Sequence, residues 1–140
     1  MKYTIYTDGS CRANGVGGIG VVVVKDDKVV CTYSKRFEKV TNNIMELKAI
    51  KAALLCIKKP IKELTIISDS QYSLGVLTNP SWNPKKNIEL IQSIKKQIKS
   101  IQELVENPIE WKHVRGHQAG DTYDIKFNNL ADKLAQDISK

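Results

Sequence analysis

Three β-branched runs succeed one another in the first 37 residues before any helical period appears, so the chain must begin as an antiparallel sheet. Lys2–Thr7, Ile19–Lys25 and Lys28–Phe37 carry the strand pattern, with Asp26-Asp27 as the hairpin turn between the last two. From Asn43 to Lys59 the apolar positions Ile44, Leu47, Ile50, Leu54 and Ile57 recur three or four apart until Pro60, which predicts an amphipathic helix. Leu64–Ser68 returns to a strand and Ser70–Leu77 to a short helix. After the turn-rich stretch Asn79–Pro84, Asn87–Ile101 places Ile88, Ile91, Ile94, Ile98 and Ile101 at helical spacing. Ile109–Val114 reads as a fifth strand, and Asn128–Ile138 as a last helix with Leu130, Ala131, Leu134, Ala135 and Ile138 on its buried stripe. The order β-β-β-α-β-α-α-β-α predicts an α/β fold: a five-stranded mixed sheet, three antiparallel strands plus two parallel ones reached through crossovers, flanked by helices. With 140 residues and neither repeat nor linker, residues 1–140 are expected to form a single domain.

Composition excludes several classes. Apolar residues make up 41% of the chain and charged ones 26%, enough apolar surface for a folded core and against disorder. The longest aliphatic stretch, Ile19–Val24, is far short of the roughly 20 residues that span a bilayer. The start Met1-Lys2-Tyr3-Thr4-Ile5 reaches Asp8 with no room for the apolar core of a signal peptide, so a cytoplasmic protein is expected. Cys11, Cys31 and Cys56 contain no C-x-x-C pair and are odd in number, which predicts neither disulfide nor zinc but reduced, mostly buried thiols. The net charge of +7, nearly all of it lysine, suits an anionic partner such as nucleic acid, although many lysine-rich domains are merely soluble.

Most carboxylates fall in turns or on polar helix faces. Four do not. Asp8 and Asp69 each end a short apolar strand, Thr4-Ile5-Tyr6-Thr7-Asp8 and Leu64-Thr65-Ile66-Ile67-Ser68-Asp69. Taken singly, each could be a helix N-cap. If the two strands are neighbours, about 4.8 Å apart, the carboxylates crowd each other unless a cation lies between them. Glu46 stands beside the apolar stripe of the first long helix, facing the sheet, where a glutamate is seldom buried without a partner. Asp132 lies between Ala131 and Leu134 in the last helix, with Asn128 one turn earlier on the same side. An oxygen-only set without Cys or His suits Mg²⁺ or Mn²⁺, and several such carboxylates suit two-metal displacement at phosphate.

Four segments, TDGSCRANGVGGIG (Thr7 to Gly20), TNNIMELKAI (Thr41 to Ile50), ISDSQYSLGVL (Ile67 to Leu77) and VRGHQAGDTYDIKFNNLADKLA (Val114 to Ala135), resemble the type 1 ribonuclease H family in its order and spacing. The resemblance implies the ribonuclease H-like fold and a metal-dependent endonuclease that hydrolyses the RNA strand of RNA/DNA hybrids to 5′-phosphate and 3′-hydroxyl ends. It implies two Mg²⁺ ions, with Mn²⁺ as a substitute, held by Asp8, Glu46, Asp69 and Asp132. By the same resemblance Asp8 bridges the ions, Asp69 holds the one that activates water, and Glu46 and Asp132 hold the other. His117, in Val114-Arg115-Gly116-His117, matches a histidine that assists proton transfer or product departure; by itself it could equally be a solvent-facing spectator. Asn14, Asn43 and Gln71 are implied to contact the minor groove, with Asn42 nearby, where the RNA 2′-hydroxyl is read. Thr41 and Asn87 match a pocket for a DNA-strand phosphate, with Lys39 close by, and Asn128 joins the substrate-binding set. Thr41-Asn42-Asn43 also reads as a helix N-cap, and both roles can hold together.

The chain departs from the family in three places. The basic, Trp-bearing protrusion of many members shrinks to Thr78–Lys86, and no hybrid-binding domain is expected before Met1. The segment from His117 to Asp132 is longer than in familiar bacterial members, and Asn128-Asn129 stands where an Asn-Glu pair is usual. The glycines at 15, 17, 18 and 20 are followed by a strand and no Lys-Ser/Thr, so they read as a lead-in to the second strand and not a phosphate loop. Trp111, in an alternating strand, reads as core; Trp82 could be exposed or a clamp on its loop. Rival readings are a hybrid-binding module with weak catalysis and another nuclease on the same sheet. Nothing resembles a dimer signature, so a monomer is the expected state.

Overall fold

The computed structural model describes residues 2–115, 120 and 122–140. The nine expected elements occur in the expected order: β1 (Lys2–Cys11), β2 (Gly17–Lys25), β3 (Lys28–Phe37), α1 (Asn42–Leu55), β4 (Glu63–Ser68), α2 (Gln71–Thr78), α3 (Ile88–Gln102), β5 (Glu110–His113) and α4 (Tyr123–Ile138). They build one five-stranded sheet in the order β3-β2-β1-β4-β5. β1 pairs antiparallel with β2 and β2 with β3, whereas β4 runs parallel to both β1 and β5. The β2–β3 hairpin turns at Asp26 and Asp27, both at positive φ (50° and 66°), the left-handed pair that a two-residue turn requires.

Alternation along the central strands explains the run Val21-Val22-Val23-Val24. Ile5, Val21 and Val23 face the side covered by α1, α2 and α3, while Tyr6, Val22, Val24 and Ile67 face α4 and its Ala131. A sheet buried on both faces needs apolar residues at successive positions, and each such side chain, fully buried, stabilises by about 1.5–3 kcal/mol. β3 lies at the sheet edge and is mostly exposed. Its lysines and Arg36 oppose edge-to-edge pairing.

Three expectations are corrected. α1 ends at Leu55, not Lys59, because the Cys56 and Ile57 amides turn back onto the Ala53 and Leu54 carbonyls ahead of Pro60; Ile57 is buried from this turn. α4 begins at Tyr123, five residues before the expected Asn128, where the Thr122 hydroxyl accepts from the Ile125 amide as N-cap. The cysteines are not mostly buried: Cys31 is exposed on the edge strand, and Cys11 and Cys56 are half-buried. Trp111 is half-buried against the main core. Trp82 is both exposed and a clamp, 40% accessible while its ring covers Gly75 and meets Tyr72 edge-on at 6.3 Å.

Candidate active site

Register brings the acidic residues together. Thr7 of β1 pairs with Ser68 of β4 in parallel, so Asp69, the first residue after β4, emerges beside Asp8. Asp8 does not end its strand as expected: it stays in the sheet opposite Gly20 of β2, and β1 runs on to Cys11. The Thr7 hydroxyl ties the two strands further by donating to the Ile67 carbonyl at 3.0 Å. α1 crosses immediately above, and Gly9 permits its approach: a Cβ there would lie 2.3 Å from the Met45 carbonyl carbon and 2.4 Å from the Glu46 nitrogen. In that gap the Gly9 amide donates to Glu46 Oε1 at 2.5 Å and to Asp8 Oδ1 at 3.0 Å.

Asp8, Glu46 and Asp69 each offer a carboxylate oxygen, and these oxygens all lie within 4.8 Å of one another. Asp8 and Glu46 are buried, at 3% and 6% exposure. Burial, then the neighbouring Asp132, Glu46 and Asp69, push the Asp8 carboxyl far above the usual carboxylate range. Glu46 is pushed up as well, first by burial and then by Asp69, with its bonds to Asp8 and the Gly9 amide opposing part of the rise. Asp69 Oδ1 is buried with no hydrogen-bond partner among the described residues. Crowded, desolvated carboxylates with an unpaired oxygen aimed among them fit a hard divalent cation, whose charge would remove the penalty. Asp132 joins from α4: it lies within hydrogen-bonding reach of Asp8, and its two oxygens accept from Gln136 at 3.2 Å. The grouping differs from the division implied by resemblance. Asp69 sits with Glu46 and Asp8 in one cluster, and Asp132 approaches Asp8 from α4 on the opposite face of the sheet.

Thr41 is the N-cap of α1, its hydroxyl accepting from the Ile44 amide at 3.3 Å, and Asn42 and Asn43 are exposed in the first turn. The loop bearing exposed Asn14 rests on the segment before Thr41 through the Val40 amide and the Gly15 carbonyl (3.1 Å). Gln71 is exposed at the first position of α2, two residues after Asp69. Asn87 takes a left-handed conformation (φ 59°) and donates to the Tyr72 hydroxyl at 3.3 Å. Asn43 and Asn87 share a pocket of about 340 Å³ whose other walls include Tyr72, Trp82, Lys85 and Lys86. Asn128 is set apart from these exposed amides: it is 2% exposed, its Oδ1 has no hydrogen-bond partner among the described residues, and it lies one turn before Asp132. His117 lies outside the described residues.

Two contributors were not evident from the sequence. The Gly9 amide is one, and the only trace of it was the Asp-Gly pair. The other is His113, whose Nε2 donates to the Asp69 carbonyl at 3.1 Å across the β4–β5 register that pairs Ser68 with His113.

A family model described as RNase H matches residues 1–140. Ribonuclease H of Clostridium botulinum is 32% identical over 154 residues, covering 97% of this chain and 94% of that protein. Ribonuclease HI of Haemophilus influenzae is 38% identical over 139 residues, covering 94% of this chain and 86% of its relative. Among solved structures, LC11-RNase H1 in complex with an RNA/DNA hybrid superposes with a TM-score of 0.78 at 22% identity, covering 99% and 96% of the two chains. The N-terminal RNase H domain of a Mycobacterium tuberculosis protein gives 0.77 at 23% identity with complete coverage of both.

Proposed function

The chain belongs to the RNase H family, and on that premise we propose that it hydrolyses the RNA strand of RNA/DNA hybrids, as an endonuclease, leaving 5′-phosphate and 3′-hydroxyl ends. The observation that carries the reading is the convergence of Asp8, Glu46 and Asp69 at the carboxyl edge of the sheet. Asp8, Glu46 and Asp69 would hold one Mg²⁺ or Mn²⁺, and Asp8 with Asp132 a second. Bound there, such ions supply the positive charge that eases deprotonation of the attacking water and departure of the 3′-oxygen. The protein's own groups do the positioning. Gly9 holds the Glu46 carboxylate with its amide, His113 holds the Asp69 backbone, and the Thr7–Ile67 bond ties β1 to β4 just before Asp8 and Asp69.

Asn14, Asn43 and Gln71 are exposed, Asn43 three residues before Glu46 and Gln71 two after Asp69, and carry amides suited to 2′-hydroxyls and minor-groove edges. Thr41 and Asn87 would receive a phosphate of the DNA strand, with Lys85 and Lys86 beside Asn87 in the same pocket. Those lysines and Trp82 take the place of a longer basic protrusion. His117 is proposed to assist proton transfer or product departure. The solved LC11-RNase H1 complex, of the same fold, contains an RNA/DNA hybrid and supports this choice of partner. No helix among the described residues is long and apolar enough to cross a membrane. The cytosol, where such hybrids arise, is the compartment we assign.

The deciding experiment is cleavage of an end-labelled RNA/DNA hybrid beside matched double-stranded RNA, double-stranded DNA and single-stranded RNA, with Mg²⁺, Mn²⁺ or chelator. Metal-dependent nicking of the RNA strand of the hybrid alone is expected. Hybrid binding without cleavage in either metal would leave a binding module, and cleavage of double-stranded DNA would point to another nuclease on the same sheet.

A further inference from the structure

Tyr6, Lys112 and Asp124 form a polar contact that the chemistry above does not use. The Tyr6 hydroxyl donates to Asp124 Oδ1 at 2.5 Å, and Lys112 Nζ donates to Oδ2 at 2.6 Å. Three elements meet there: β1, β5 and the first turn of α4. Partial burial works against charge on Asp124, but the bonds from Lys112 and Tyr6 outweigh it and hold the carboxyl below its usual range. Aromatic packing reinforces the joint. The Tyr6 ring leans on Phe127 with centroids 5.4 Å apart, and Phe127 stacks on Tyr123 at 5.8 Å and 6°.

What this joint controls follows from two periodicities. Asp124, Asn128 and Asp132 stand at i, i+4 and i+8, one stripe of α4. Tyr6 and Asp8, two apart on β1, share a face of the sheet. The helix therefore meets the strand at two rungs, Tyr6–Asp124 and Asp8–Asp132. Between β2 and α4 lies a floor of glycine: Cβ atoms at Gly20 and Gly18 would fall 2.1 Å from the Ala131 carbonyl oxygen and 2.3 Å from that of Ala135. That floor sets how close the helix lies to the sheet. The packed stripe of Leu130, Ala131 and Leu134 forbids a slip of a whole residue, but a displacement of about 1 Å along the axis is enough to spoil the placing of Asp132 against Asp8, and a directional polar bond limits it.

We propose that Asp124 is a positioning residue: bound by Tyr6 and Lys112, it sets the axial register of α4 and so places Asp132 against Asp8. It touches neither substrate nor cation, and its effect runs entirely through Asp132. The inference rests on the reading of Asp8 and Asp132 as cation ligands.

The test compares Tyr6→Phe, Asp124→Asn, their double variant and Asp132→Asn, each checked by circular dichroism. Mn²⁺ binding is measured by calorimetry, and hybrid cleavage is followed across Mg²⁺ concentration. Tyr6→Phe and Asp124→Asn should each weaken Mn²⁺ binding by about tenfold, the scale of lost support for a metal ligand. Cleavage should fall at low Mg²⁺ and recover at high Mg²⁺, with KM for the hybrid unchanged. The double variant should be little worse than the poorer single one, since both loosen the same three-residue joint, Tyr6→Phe by removing the hydroxyl donor and Asp124→Asn by removing the charge that Lys112 pairs with. A purely structural role would lower the melting temperature without moving the Mg²⁺ dependence, and that result overturns the proposal. Tyr6→Phe removes one hydroxyl and keeps the ring on Phe127, so it decides the matter if Asp124→Asn fails to fold. If Asp132→Asn itself leaves Mn²⁺ binding intact, the cation reading of Asp132 is at fault and the proposal falls with it. If Asp132→Asn weakens binding while Tyr6→Phe does not, the register argument alone is wrong.

Discussion

Asp8 is 3% exposed beside three other carboxyl groups, an arrangement that costs the metal-free protein stability. Asp8 and Glu46 titrate near 4 in the unfolded chain. In the folded protein they are pushed up to about 11 and about 9. The folded state thus binds more protons across that interval, so the contribution of these groups is whole below about pH 4 and is lost as pH rises toward 9 and beyond. Metal-free protein should therefore melt at lower temperature at pH 8 than at pH 5. Asp8→Asn removes the ionisable group and should stabilise the metal-free protein at pH 8, by on the order of 1 kcal/mol or more, while abolishing cleavage and leaving hybrid binding largely in place. Thermal melts with and without Mg²⁺, paired with a cleavage assay, check both halves; wild-type cleavage by the variant would end the assignment of Asp8 as a ligand. The four carboxylates could be picked out by position: Asp8 and Asp69 closing short apolar runs, although β1 continues past Asp8, and Glu46 and Asp132 on buried helix stripes. Their grouping was not legible, because which carboxylate meets which depends on the face from which each helix approaches.

At the scale of elements, α4 shows how a sequence signal can be present and still misread. Tyr123, Ile125 and Phe127 alternate like a strand, so the helix appears to begin at Asn128. The i, i+4 stack of Tyr123 on Phe127 and the Thr122 cap show that it begins five residues earlier. The glycines of β2 were legible only as a strand lead-in, since nothing local says that a helix will lie on them. Gly20→Ala should be severely destabilising: its Cβ would sit 2.1 Å from the Ala131 carbonyl oxygen, on helix backbone that cannot swing aside. Overpacking of this kind costs about 3 kcal/mol or more. In a chain of this size that lowers the melting temperature by about 10 °C, readable by calorimetry. A shift of a degree or two would mean that α4 rides up freely, and the close seat would lose its importance.

For the whole molecule, the +7 charge and the substrate reading meet in one prediction. If the duplex is held through four or more phosphates, raising salt from about 50 to about 200 mM should weaken hybrid affinity on the order of a hundredfold, and the slope of log affinity against log salt counts the contacts. Fluorescence anisotropy with a labelled hybrid and a chelator in place of metal measures it; a flat response would move binding away from the lysines. The number, type and order of elements, the hairpin at Asp26-Asp27 and the acidic residues that matter were set by local chemistry: side-chain periods of two and of three to four, turn residues, and charges placed where burial is expected. Tertiary structure alone decided the rest: the Gly9 amide on Glu46, His113 on the Asp69 carbonyl, the glycine floor under α4 and the Tyr6–Asp124 rung. Each of these joins residues at least 37 positions apart in at least one pair. Local periodicity carries the direction in which a side chain points, but not what the rest of the chain will bring to meet it.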